Sequence, residues 1–192
     1  MIIAEIRSGP IVNMDETTVQ VLAEPGRANT TKSFMWVARG GTPGKPVVLF
    51  RYHPSRAGNV AAEILGDFKG YLQTDGYSGY EALGEREGLR HLGCMAHVRR
   101  KFVEVEKTAG KKGKGGTAHA TLDLIGKLYD VERQAEKQKL KPEQITALRA
   151  EKSRPILDKL KALLDARAAT TPPKSLLGKA IGYARKQWDR LV

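Results

Sequence analysis

The sequence predicts an α/β fold: a mixed five-stranded sheet with flanking helices, followed by an all-helical segment. Three observations predict it. Three β-rich runs joined by short turns open the chain, an amphipathic helix then leads to two further short strands, and only helical periodicity remains beyond a lysine–glycine stretch.

The first residues, Met1-Ile2-Ile3-Ala4-Glu5-Ile6-Arg7, read as a piece of strand or helix. They lack the basic start and long apolar core of a secretory signal. Residues 11–22 are rich in β-branched types (Ile11, Val12, Thr17, Thr18, Val19, Val21), and Pro25-Gly26 turns the chain. Ser33 to Ala38 gives a second strand. Gly40-Gly41-Thr42-Pro43-Gly44 turns into a third, Pro46 to Tyr52, which completes an antiparallel meander.

A helix follows Asn59 and runs through Lys69, with Val60, Ile64 and Phe68 on one face. It delivers the chain to a strand, Tyr71-Leu72-Gln73-Thr74-Asp75. A strand, a covering helix and a returning strand make a right-handed crossover, so this strand is expected parallel to one of the meander. Beside the first strand it would bring Asp75 close to Asp15. A short helical stretch around Tyr80 to Leu83 precedes the strand Leu89 to Cys94. A basic helix follows, with Val98, Phe102 and Val105 on one face and Arg99, Arg100 and Lys101 fanning outward.

Gly110-Lys111-Lys112-Gly113-Lys114-Gly115-Gly116 is low-complexity and cationic, and marks a boundary. The expected organisation is a core over 1–107, a linker over 108–117 and a helical segment over 118–192. One helix is predicted from Ala118 to Lys139 with a seam of Leu122, Ile125 and Tyr129. Pro142 opens another, which Pro155 should kink or break. A third covers Ile156 to Ala168 and stops at Thr170-Thr171-Pro172-Pro173. Ser175 then caps a last helix carrying Leu177, Ile181, Trp188 and Leu191.

The 192 residues suffice for one good core with a helical appendage, and 41% hydrophobic with 28% charged is ordinary for a globular protein. A net charge of +12 is not. With a pI of 9.9 and no run long enough to span a bilayer, it points to a polyanionic partner, nucleic acid before membrane. The single cysteine, Cys94, excludes an intrachain disulfide and agrees with a cytoplasmic location.

Asp75 stands where a strand gives way to a glycine turn. Asp-Gly alone reads as turn punctuation, but a second aspartate in another strand, Asp15, makes a carboxylate pair conceivable. Two carboxylates on adjacent parallel strands suit magnesium or manganese, which take hard oxygen ligands. Two such ions roughly 3.5–4 Å apart are the apparatus of phosphoryl transfer. Glu16 should point away from Asp15 in a regular strand. Cys94 and His97 have half the spacing of a zinc site; His91 is a third candidate ligand, but a structural zinc site needs four, so no zinc is expected. Arg99, Arg100 and Lys101 read as phosphate-gripping residues or as a solvated face. Lys111, Lys112 and Lys114 read as a nonspecific DNA contact or a tether. Tyr71, Tyr77 and Tyr80 read as base-stacking residues or, more economically, as packing.

Met14-Asp15-Glu16-Thr17, then Gly70-Tyr71-Leu72-Gln73-Thr74-Asp75-Gly76-Tyr77-Ser78-Gly79-Tyr80, and finally Gly93-Cys94-Met95-Ala96-His97-Val98-Arg99-Arg100-Lys101-Phe102 resemble the transposases of the insertion-sequence-66 family. The middle motif, with its spacing to the third, is the specific one. The resemblance is close over about Ile6 to Lys107 and looser beyond. It implies a DDE catalytic core of ribonuclease-H-like fold, with Asp15 and Asp75 as the first two metal-binding acids and two magnesium or manganese ions in the intact enzyme. It also suggests a place near the scissile phosphate for His97, which otherwise reads as a helix cap, and implies that a helical insertion follows Lys107. The implied activity is DNA transposition, by cleavage at transposon ends and strand transfer into target DNA. The implied partner is DNA, both transposon ends and target; a homo-oligomer is a further candidate on which the sequence itself is silent.

The family's third acid is a glutamate in an Asn- and Glu-rich motif after the insertion, and no such motif is present; the last glutamate is Glu151. The family's usual N-terminal DNA-binding segments have no counterpart either. The chain is therefore expected to be a central piece of a transposase that cannot cut or join DNA efficiently alone. Two rival readings are a non-enzymatic DNA-binding remnant, and a stand-alone nuclease of the same fold that uses Glu104, Glu106 or Glu143 as its third acid.

Overall fold

A computed structural model describes residues 1–110 and 115–192. Lys111, Lys112 and Lys114 lie outside the described residues. The chain divides into two compact units, Met1–Cys94 and Met95–Val192.

The first unit begins with a short helix, α1 (Ile2–Ile6), followed by three strands, β1 (Ile11–Gln20), β2 (Lys32–Gly40) and β3 (Val47–His53). These form the expected meander: β1 and β2 are antiparallel from Asn13↔Arg39 to Gln20↔Lys32, and β2 and β3 from Gly40↔Val47 to Phe34↔His53. Helix α2 (Gly58–Leu65) carries the chain to β4 (Gly70–Gln73), a 3₁₀ turn at Ser78–Tyr80 and a one-turn helix α3 (Glu81–Gly84) lead to β5 (Leu89–Leu92). Both late strands are parallel to their neighbours, β4 to β1 and β5 to β4, which gives the sheet order β3-β2-β1-β4-β5. A mixed five-stranded sheet of this order, flanked by helices and followed by a helical region, is a ribonuclease-H-like core with a helical insertion.

Strand alternation decides what is inside. Val12 and Met14 of β1, Trp36 and Ala38 of β2, Leu72 of β4 and Leu89 of β5 are buried, and Ile6, Val60, Ala61, Ile64 and Leu65 cover them from α1 and α2. Burying Trp36 leaves an indole N–H to satisfy, and it donates to the Ser55 carbonyl at 3.2 Å. Helix α2 is shorter than its apolar spacing suggests. Gly66 takes φ +49°, a conformation glycine enters without strain, and stops the helix before Phe68, which is buried all the same.

The second unit is helical: α4 (Met95–Ala109), α5 (Thr117–Lys137), α6 (Pro142–Leu148), α7 (Arg154–Ala168), α8 (Leu176–Lys186) and a last turn α9 (Trp188–Leu191). Helix α4 packs against α5 and α8, and α7 against the same two. Their shared core holds Val98, Phe102, Ile125, Leu160, Leu164, Ile181 and Ala184. The buried stripe of α5 is Ala118, Thr121, Ile125, Leu128, Val131 and Ala135. Leu122 and Tyr129, expected in the seam, flank it and are partly buried. Thr121 can sit inside because its hydroxyl donates to the Thr117 carbonyl at 2.8 Å.

Pro155 does not break the helical path. A π turn at Arg149–Ser153 joins α6 to α7, and Pro155 falls in the first turn of α7, where a missing N–H costs little. The expected Ser175 cap is present, with Gly178 N–H donating to Ser175 Oγ at 3.0 Å, and Pro142 opens α6 as expected, where Lys141 N–H also donates to Gln144 Oε1 at 2.9 Å. Among the described residues, no helix is long and apolar enough to cross a membrane.

Candidate active site

The parallel pairing of β1 with β4 runs Ile11↔Tyr71, Val12↔Leu72, Asn13↔Gln73. Val12 and Leu72 face the core, so Asn13 and Gln73 share the opposite face, where Asn13 Nδ2 donates to Gln73 Oε1 at 2.7 Å. Gln73 Nε2 in turn donates to the Gly93 carbonyl at 3.2 Å, beyond the end of β5. Asp15 lies two residues past Asn13, and Asp75 two residues past Gln73. Both carboxylates thus follow the last paired row of β1 and β4 by two residues, Asp15 in mid-strand and Asp75 beyond the end of β4.

Their surroundings differ. Asp15 is exposed within β1, and its Oδ1 accepts the Glu16 N–H at 2.9 Å. Asp75 is half-buried, just past the last residue of β4, and its Oδ1 accepts the Tyr77 N–H at 2.9 Å. That is an Asx turn, so Asp75 is a turn residue and a carboxylate at the sheet rim at once. Thr74 anchors it from behind: buried, it takes its N–H to the Leu92 carbonyl at 3.1 Å, and its hydroxyl lies 2.7 Å from His91 Nε2.

Glu16 points away from Asp15, as strand alternation requires, but it does not point to solvent. Its side chain is 1% exposed and joins a network that the sequence reading missed. Arg56 donates to Glu16 Oε1 from Nε at 2.7 Å and from Nη2 at 2.6 Å, and Tyr80 donates its hydroxyl to Oε2 at 2.5 Å. The Arg56 guanidinium lies 3.8 Å over the Tyr77 ring, and the Tyr77 hydroxyl donates back to the Arg56 carbonyl at 3.0 Å. Burial pushes the Glu16 carboxyl above the ordinary glutamate range, against the opposing hydrogen bonds of Tyr80 and Arg56. Burial, reinforced by Glu16, Asp75 and Asp15, pushes the Tyr80 phenol far above the usual tyrosine range and keeps it a donor. Burial works against the charge of Arg56, yet Glu16 more than offsets it and holds the guanidinium above its ordinary value.

The glycines of this loop are there for close approach. A Cβ on Gly58 would stand 2.2 Å from the Gly79 carbonyl oxygen, and one on Gly79 would stand 2.3 Å from the Tyr77 ring. The start of α2 therefore closes directly onto the Asp75 turn. Tyr80 is fully buried and cannot stack on a base, whereas Tyr71 is exposed. The missed network had one sequence signal: alternation sends Glu16 toward the core, and a buried carboxylate demands partners.

The acid pair was tested as a divalent-metal site by its donor set. Two aspartate carboxylates are hard oxygen ligands and fit magnesium or manganese, which commonly use one or two protein carboxylates together with water and phosphate oxygens. Among the described residues, no group of three or more His, Cys, Asp or Glu side chains is placed to hold a metal ion.

His97 lies in the first turn of α4, in the second unit. Arg99 and Arg100, on the same helix, border a groove of about 560 Å³ whose opposite wall is Gly126, Tyr129 and Arg133 of α5. Arg133 was not singled out from sequence. Lys101 is placed differently: its Nζ lies 4.7 Å over the Tyr183 ring. Glu106, one of the substitute acids considered, hydrogen-bonds His119 Nδ1 at 2.7 Å.

Comparison with known proteins agrees with this architecture. A profile of the family described as Transposase IS66 family matches residues 1–192. Three proteins of Sinorhizobium fredii (strain NBRC 101917 / NGR234) are similar over almost the whole chain. Uncharacterized protein y4jD is 33% identical over 99% of the chain, uncharacterized protein y4qI 34% over 99%, and uncharacterized protein y4hP 26% over 98%. The chain spans 38%, 36% and 36% of their respective lengths. Among solved structures, a chain of the simian T-cell lymphotropic virus intasome in complex with PP2A regulatory subunit B56 gamma aligns over 75% of this chain and 48% of its own. The TM-score is 0.35 and the identity 15%, a likeness too distant to carry an argument. On the family match across all of its residues, the chain belongs to the IS66 family of transposases.

Proposed function

We propose that this chain supplies two acids, Asp15 and Asp75, to the metal-dependent catalytic centre of a DDE transposase acting on DNA. The observation that carries the proposal is the parallel register of β1 and β4, whose last pair, Asn13 opposite Gln73, comes two residues before each of the two aspartates. A divalent ion bound there supplies Lewis-acid polarisation of a phosphodiester oxygen. The chain's own part is to orient the two carboxylates, Asp15 by its place in the strand and its bond from the Glu16 N–H, Asp75 by the Asx turn. A third acid from elsewhere in the longer protein completes the centre, in keeping with the fraction of its relatives that this chain spans. DNA is the polyanion that matches the +12 charge, and Arg99, Arg100 and Arg133 offer its phosphates a cationic groove.

Calorimetric titration with manganese tests the reading. Binding that is lost in both Asp15→Ala and Asp75→Ala supports it; binding indifferent to both substitutions refutes it. The arginine groove favours a second reading, a DNA-binding protein without catalysis. That reading requires DNA affinity to persist in the same two variants with no divalent-ion site in the parent.

A further inference from the structure

Arg56 is held far more firmly than a surface cation needs to be. Exposed ion pairs contribute about 0–1 kcal/mol and leave long side chains mobile. Here the guanidinium has its Nε–Nη2 edge on Glu16 Oε1 and its face on Tyr77, and Glu16 is itself clamped by the Tyr80 hydroxyl. A carboxylate has been buried to 1% exposure to fix one arginine, while that arginine's own side chain stays 41% exposed. One edge of the fork is spent on Glu16. The remaining edge, with Nη1, belongs to a planar cation whose orientation is set on two sides.

Tyr77 joins this cation to the acid pair. Its ring underlies Arg56, and its backbone N–H donates to Asp75 Oδ1. A fixed guanidinium joined through one residue to the Asp75 carboxylate suits a group bearing both an electrophilic centre and anionic oxygens. A phosphodiester is such a group, and a guanidinium fork matches its non-bridging oxygens in geometry and charge.

We infer that Arg56 is a phosphate-binding residue of the Asp15–Asp75 site, taking a non-bridging oxygen of a nucleic-acid phosphodiester, with Glu16 and Tyr77 as its positioning residues. The inference rests on the DNA-acting reading above and adds a residue to it. It also explains why the loop motif carries tyrosines at both 77 and 80: one is the platform for the cation, the other locks the cation's counter-ion.

The test is the binding of a fluorescent DNA duplex by anisotropy across a salt series, with the full chain, Glu16→Gln, Arg56→Lys and the double variant Glu16→Gln/Arg56→Gln. The double variant leaves the net charge at +12, because one acid and one base are removed together. It replaces the ion pair by an amide pair, so no charge is left buried and unpaired. The expected result is a partial loss of affinity at unchanged salt slope in Glu16→Gln, which loosens Arg56 but keeps its charge, and a loss of about tenfold in the double variant, the scale of one charged hydrogen bond. The slope of log affinity against log salt falls by about 0.9, the loss of one phosphate contact. Arg56→Lys keeps the slope and loses part of the affinity, and it carries the test if the double variant fails to fold. A double variant with the slope and affinity of Glu16→Gln overturns the inference alone, as does an Arg56→Lys indistinguishable from the parent. No salt-sensitive DNA binding by the parent chain overturns the DNA reading and the inference with it.

Discussion

Asn13 and Gln73, sixty positions apart in the chain, meet side chain to side chain at 2.7 Å across β1 and β4. They occupy the last paired row of those strands, on the face away from the core. This contact lies two residues before each aspartate, and it is a handle by which their spacing can be altered without touching either one. Gln73→Ala removes both the Asn13 bond and the bond to the Gly93 carbonyl. The expected cost is about 1 kcal/mol of stability, read from the urea midpoint at unchanged m-value. Manganese affinity should fall as well, although both carboxylates remain.

Glu16 gives a pH signature. Its folded pKa is raised by burial, so its contribution to stability is fully present below the unfolded value of 4.5 and is lost as pH rises through the folded value. Glu16→Gln does not titrate. The melting-temperature advantage of the parent over Glu16→Gln should therefore be larger below pH 4.5 than at neutral pH. An advantage that grew with rising pH would mean that the ion pair with Arg56 outweighs the burial of the carboxylate.

The close approach of α2 to the Asp75 loop predicts opposite outcomes for two glycines. Gly58→Ala places a methyl group 2.2 Å from the Gly79 carbonyl oxygen and must push the helix start off the loop. A loss of about 2 kcal/mol or more is expected. Gly182, inside α8, has nothing within 4 Å of an added Cβ. Gly182→Ala should stabilise by about 0.5–1 kcal/mol. Thermal or urea unfolding of the two variants checks both signs.

The sheet was legible in the sequence because its signals are local. β-Branched runs, glycine turns and one amphipathic helix suffice to give the meander, the crossover and the parallel strand that follows. The Glu16 network was not legible for the opposite reason. Its three side chains come from a strand, the residues before a helix and a 3₁₀ turn, separated by 40 and 64 positions, and no periodicity links them. In α5 the large apolar residues drew the seam toward Leu122 and Tyr129. The structure instead buries Thr121, whose hydroxyl is satisfied within its own turn. Pro155 reads as a kink or a break because its missing N–H interrupts a regular helix. A π turn just ahead of it keeps the helical path continuous.

The most direct test of the acid pair is to locate a bound divalent ion by the damage it does to nearby NMR signals. Substoichiometric manganese, added to the isotopically labelled chain, should broaden the backbone amides of Asp15 and Glu16 together with those of Asp75, Gly76 and Tyr77, and broaden neither group in Asp75→Ala. Broadening confined to one strand, or centred on the Glu106–His119 pair, would contradict it.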